Sequence, residues 1–216
     1  MPRGLVSNIK IGHTLRSKPY QVETVSLITE DGTRIKLVDT PGFANSREGV
    51  TDAEVLNMIA TFLANEWVVC ILIELLTYLY RYGKKSHLTG LIYVHRISDS
   101  RVGGASPRNL RVFRKLCGAD SLKNIVILTT MWDKVTPEEG SRHEQELMTT
   151  QQLFKPLLDN GAIMMRHDRS SESANKVIKH LLGKSTTTVQ IVREILQKEE
   201  SLETTAAGYE LEKLIA

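Results

Sequence analysis

Cysteine is scarce in this sequence, with two residues, Cys70 and Cys117, among 216. Two are too few for a disulfide framework, and they predict reduced thiols in a cytoplasmic protein. Charge imbalance is small as well, +3 from 28 basic and 25 acidic residues. A nucleic-acid-binding chain should gather its basic residues on one face, and this balance gives no reason to expect such a partner. Met1 to Lys10 has no apolar signal-peptide core, so nothing in it directs the chain to secretion. Internal repeats and low-complexity tracts are absent. The main apolar run, Trp67 to Tyr80, is interrupted by Glu74. It falls short of the about 20 apolar residues that a membrane-spanning helix needs. A buried or misplaced helix is the favoured reading of it, and interfacial membrane contact through 67–80 is the alternative.

What remains is an ordinary globular composition, 41% hydrophobic and 25% charged. The length suits one domain with an appendage. Gln21 to Thr29 alternates apolar Val22, Val25 and Leu27 with polar neighbours, which predicts a strand. Asp31-Gly32 predicts a hairpin turn, and Arg34 to Val38 a second strand delivering Asp39. Thr51 and Glu54 have capping-box spacing, ahead of a helix carrying Val55, Met58, Ile59, Phe62 and Leu63. Gly90 to His95 and Asn124 to Thr129 read as buried strands, and Ala162 to Met165 as a short one. Helices are expected from Pro107 to Gly118, from Pro137 towards Leu158, and over Ser170 to Leu182. Residues 186–216 read as a C-terminal extension of one or two amphipathic helices, distinct from the 1–185 domain. Strands alternating with helices predict an α/β fold: a three-layer, doubly wound, mostly parallel sheet. In such a sheet the ligand lies beyond the strands' carboxyl ends, where Asp39, His95, Thr130 and Arg166 fall.

Three segments carry chemistry. In the first, Arg34 to Phe43, an apolar strand ends in Asp39-Thr40-Pro41-Gly42. A carboxylate there can orient a magnesium ion through its water shell, because magnesium retains several waters. The Gly42 amide can donate to a terminal phosphate, and losing that bond on hydrolysis releases the loop behind it. A plain turn is the competing reading, since turns favour Asp, Pro and Gly. The second segment, Thr129 to Val135, follows an apolar strand and contains Thr130, Trp132 and Asp133. A carboxylate that accepts from N1 and the exocyclic amine of guanine discriminates against adenine, which has no such donor pair. Asp133 is placed for that role, with a helix N-cap ahead of Pro137 as the alternative. In the third segment, Arg166 to Ala174, the backbone of Ser173-Ala174 could meet the base's carbonyl oxygen, and helix capping by Ser170 explains the same residues.

Taken in order, Asp39 to Phe43, Leu91 to Asp99, Phe113 to Gly118, Thr129 to Val135 and Arg166 to Asp168 resemble the fungal G-domain proteins. These stand among the immunity-associated, septin-like and chloroplast-import-like GTPases of the P-loop superfamily. The resemblance runs from about Lys10 to Leu182, with a break near Trp67. It implies GTP or GDP binding with Mg2+, slow hydrolysis, and self-association or pairing with a related G domain. It also exposes departures. The family's phosphate loop, G-x-x-x-x-G-K-[ST], is absent from these 216 residues, so a missing first strand and an open sheet edge are expected. Gly183-Lys184-Ser185-Thr186 copies the loop's last four residues, but Ile178 stands at its first glycine and the segment should end a helix. Met131 occupies the position of the family's base-packing lysine, with Trp132 offering apolar surface instead. Pro19 falls where a magnesium-binding threonine belongs, and the run Asn65 to Leu76 has no family counterpart. Weak or absent hydrolysis is the resulting expectation, with a non-catalytic interaction module as the alternative function.

Overall fold

The computed structural model describes residues 22–29, 32–40, 51–63, 88–99 and 105–213. They fall into two compact units, residues 1–63 and 64–216. Pro41, Gly42, Asp31, Pro19, the apolar run Trp67 to Tyr80 and residues Arg101 to Gly104 lie outside the described residues. Among the described residues, no helix is long and apolar enough to cross a membrane.

The first unit contains the expected hairpin. Strands β1 (Glu23–Ile28) and β2 (Arg34–Asp39) pair antiparallel, with Val25 opposite Leu37 and Leu27 opposite Ile35. Directly opposed residues share a face, so the alternation gives the hairpin one half-buried apolar side. The Thr29 amide donates to the Thr33 carbonyl and the Gly32 amide to the Thr29 carbonyl, each at 2.9 Å. Gly32 has φ +82°, a conformation that favours glycine. Helix α1 (52–63) opens on the predicted capping box. The Glu54 amide donates to Thr51 Oγ1 at 3.2 Å, and the Thr51 amide to Glu54 Oε2 at 2.6 Å. Val55, Leu56, Ile59 and Ala60 form the buried face of α1, and Leu56 extends the apolar stripe read from sequence.

The second unit holds a parallel sheet of β3 (Leu91–Arg96), β4 (Ile125–Thr130) and β5 (Ile163–Arg166), in that order. Its helices are α2 (Ala105–Cys117), α3 (Pro137–Thr149), α4 (Lys155–Leu158), α5 (Ser171–Leu182), α6 (Gln190–Gln197) and α7 (Ala206–Glu212). On one sheet face Val126 packs with Val177 and Leu181 of α5, with Leu128, Ile163 and Met165 against them. On the other, Tyr93 makes edge contacts with Phe113 of α2 at 5.0 Å and Phe154 at 5.4 Å. Helices thus lie on both faces of the central strand, as a parallel sheet requires.

Two expectations are corrected. Strand β3 is not buried on both faces: Ile92 and Val94 are exposed, while Tyr93 and His95 face inward. The single helix expected from Pro137 towards Leu158 is two helices, α3 and α4. Pro156 lies in the first turn of α4, where its missing N–H costs nothing, whereas a continuous helix would need that donor. The chain between them turns inward and buries Leu153 and Phe154. At the C-terminal end α6 and α7 pack on α2, tied by Arg111 to Glu210 at 3.0 Å, while Arg193 pairs with Asp120 at 2.6 Å. Buried Glu194 accepts from Gln190 Nε2 at 2.6 Å and from the Ala206 amide at 3.0 Å, anchoring the start of α7. In this extension Ile191 is buried and Tyr209 is exposed.

Candidate functional site

The carboxyl edge of the parallel sheet is held by hydrogen bonds that run past the strand ends. The Ile97 amide donates to the Thr130 carbonyl at 2.9 Å, and the His167 amide to the Thr129 carbonyl at 2.8 Å. Thr130 Oγ1 donates to the His95 carbonyl at 3.4 Å. These bonds bring segment 166–170 beside segment 130–134.

Met131 makes the turn off β4 in the left-handed region, φ 60° and ψ 34°, and a short 3-10 turn over Trp132–Lys134 follows. This conformation is uncommon for a residue other than glycine, Asn or Asp. It sends Trp132 inward and leaves Asp133 outward. Trp132 Nε1 donates to the carbonyl of buried Thr129 at 3.2 Å and to its hydroxyl at 3.1 Å. The Arg166 guanidinium lies 4.1 Å from the Trp132 ring centroid, a cation–π arrangement. Glu144 of α3 grips that guanidinium through both carboxylate oxygens, Nε to Oε1 at 2.9 Å and a second bond from Nη2 to Oε2. On the helix side, a Cβ placed at Gly140 would sit 2.8 Å from the Trp132 ring, so glycine is what lets α3 approach so closely.

The Asp133 carboxylate is 49% exposed. It does not cap α3. The N-cap is Thr136, whose Oγ1 accepts from the Glu139 amide at 3.2 Å. The capping alternative for Asp133 is therefore excluded. Its Oδ2 lies 3.5 Å from Lys134 Nζ and 3.5 Å from Arg169 Nη1. Arg169 is also left-handed, at φ 67°, and its Nη2 contacts Met131 Sδ at 2.8 Å.

Ser170 caps α5, its Oγ accepting from the Ser173 amide at 3.1 Å. The Ala174 amide donates to the Ser170 carbonyl at 3.3 Å, so the Ser173 and Ala174 amides are both engaged. His167 Nδ1 lies 2.7 Å from Ser173 Oγ. Asp168 accepts from the Ser170 amide at 2.9 Å, and hydrogen bonds from Ser170 and then Ser173 hold its carboxyl well below the usual range. His95 packs edge-on against Phe154 at 5.5 Å. Burial lowers its pKa, with Arg96 acting the same way and Asp99 opposing, so the ring is biased towards neutrality. In the first unit, exposed Asp39 ends β2 and exposed Thr40 follows it. Among the described residues there is no group of three or more His, Cys, Asp or Glu side chains able to hold a metal.

The Arg166–Trp132–Glu144 stack and the Arg169–Asp133 contact were not legible as sequence motifs. Both depend on β4 and β5 lying side by side, and the only hint was the pair of arginines bracketing His167-Asp168.

The helices on both faces of the parallel sheet define an α/β fold, with the candidate site at the sheet's carboxyl edge. No protein-family model matches the sequence, and no curated protein matches it. Solved structures do match. A dimerization-deficient mutant of Toc33 from Arabidopsis thaliana aligns with TM-score 0.54 and 14% identity, over 81% of this chain and 77% of that one. Toc33 from the same plant in complex with Mg2+ and GMPPNP aligns with TM-score 0.51 and 16% identity, over 78% and 72%. At such identities the likeness establishes the fold.

Proposed function

We propose that this chain is a guanine-nucleotide-binding G-domain protein, cytoplasmic, of the group whose motifs it shares with fungal G-domain proteins. The observation that carries the reading is Asp133, a half-exposed carboxylate at the carboxyl end of a central parallel strand with no capping duty. The likeness in fold to Toc33, whose structure with Mg2+ and GMPPNP is known, supports it. An ionised aspartate offers acceptors only, which suits the N1 and exocyclic amine donors of guanine. Thr130 braces the segment through its bond to the His95 carbonyl, and Trp132 fixes the turn that presents Asp133. Ser173 and Ala174 would meet the base's carbonyl oxygen only by sharing amides already donated to Ser170.

Asp39, exposed at the end of β2, suits a magnesium ion held mainly by water and nucleotide phosphates, with Thr40 and Gly42 next to it in sequence. Phosphoryl transfer depends on positioning and electrostatics, and these residues include no phosphate loop with its lysine. Hydrolysis should therefore be weak or absent. The second reading is an interaction module on a degenerate G domain that binds another copy or a related G domain. Titrating the chain with a fluorescent GTP analogue and Mg2+ separates the two. Micromolar binding weakened at least tenfold by Asp133→Ala supports the first. Affinity no better than millimolar, unchanged by that substitution, supports the second.

A further inference from the structure

We propose that Arg169 is a built-in competitor for the guanine base, closing the Asp133 carboxylate with a cation from the neighbouring loop. The proposal rests on Asp133 being the base-reading residue. Three observations carry it. Arg169 Nη1 stands 3.5 Å from Asp133 Oδ2, on the carboxylate that the base would use. Nη2 of the same guanidinium rests on Met131 Sδ at 2.8 Å, so the arginine lies across the residue beside which a base would pack. Arg169 and Met131 are both left-handed, at φ 67° and 60°, and they turn towards each other from the ends of β5 and β4. Left-handed backbone at bulky residues persists only where the surroundings fix it.

The guanidinium lies on the Met131 side of the carboxylate, so a base that packs there meets it at Oδ2. The base must displace Arg169, and apparent affinity falls by the fraction of chains in which the carboxylate is closed. Arg169 and Asp133 are 57% and 49% exposed, so the contact is weak and easily screened. It is a modest brake, opened by salt or by any anion that draws Arg169 away. Lys134, the sequence neighbour of Asp133, also lies 3.5 Å from this oxygen and remains in every Arg169 variant.

The test uses the full chain and a fluorescent N-methylanthraniloyl GDP, with Arg169→Gln, Arg169→Ala, Asp133→Ala and the double variant Arg169→Gln/Asp133→Ala. Removing the guanidinium should tighten binding roughly two- to sixfold at low salt, as expected for releasing one exposed ion pair. The gain should shrink towards none as sodium chloride rises to about 1 M, where screening acts within about 3 Å. In the Asp133→Ala background, Arg169→Gln should give no gain. Equal or weaker binding by both Arg169 variants, with Asp133→Ala still strongly weakened, would overturn the competitor while leaving the guanine reading intact. If Asp133→Ala binds as well as the unaltered chain, the reading of Asp133 fails and the competitor fails with it.

Discussion

Burial sets the chemistry of Cys117. Its thiol has no exposed surface, and desolvation pushes its pKa far above the ordinary value, with Ser121 pulling weakly the other way. Thiolate is the reactive form, so this cysteine is inert while the fold persists. In a Cys70→Ser variant, a disulfide-exchange reagent at about pH 8 should react negligibly with the folded chain and fully after denaturation. Rapid labelling of the folded form would contradict the burial. His95 gives a pH dependence with a definite sign. Burial lowers its pKa below 6.5, so on acidification the unfolded chain takes up a proton before the folded one. Stability is then complete above about pH 6.5 and falls as pH drops through and below that value. The denaturation midpoint should decrease between pH 7 and pH 5.5. His95→Phe should flatten part of that slope, and His180, also shifted down by burial, should retain some. The positions of Asp39, at the end of one apolar strand, and of Asp133, three residues past another, were legible in the sequence because they follow from local pattern. Arg169 was not, because its contact to Asp133 spans the loops after two different strands.

At the scale of elements, the turns and caps were the most readable features. The capping box of α1, the Gly32 turn and the Ser170 cap all follow from side chains within a few residues of the backbone they bond. The division between α3 and α4 was missed because apolar spacing continues across it, and only burial of Leu153 and Phe154 makes the break worthwhile. The open face of β3 was missed for a related reason. Ile92 and Val94 read as core, and whether a helix covers them is decided by tertiary packing. The approach of α3 to Trp132 yields a prediction at this scale. A methyl at Gly140 would meet the indole at 2.8 Å, and that ring is fixed by Thr129 on one side and Arg166 on the other. Gly140→Ala should cost about 1–3 kcal/mol, as overpacking usually does, despite alanine's better helix propensity. Chemical denaturation followed by Trp132 fluorescence, in a Trp67→Phe background, would register it. An unchanged or raised midpoint would mean that α3 moves away freely.

The molecule as a whole combines an antiparallel hairpin and helix in one unit with a three-stranded parallel sheet and its helices in the other. The alternation of strands and helices is readable from periodicity, so the α/β class is legible in the sequence alone. Among the described residues the parallel sheet runs β3-β4-β5, with β4 in the centre and the candidate site beyond its carboxyl end. Base recognition is the part of the proposed function most open to a direct test. That test compares fluorescent GDP and ADP on the unaltered chain and on Asp133→Ala by equilibrium titration. GDP should bind at least tenfold tighter than ADP, and Asp133→Ala should remove the preference by weakening GDP alone. Equal affinities for the two nucleotides, or a preference that survives Asp133→Ala, would contradict the guanine-reading role of Asp133.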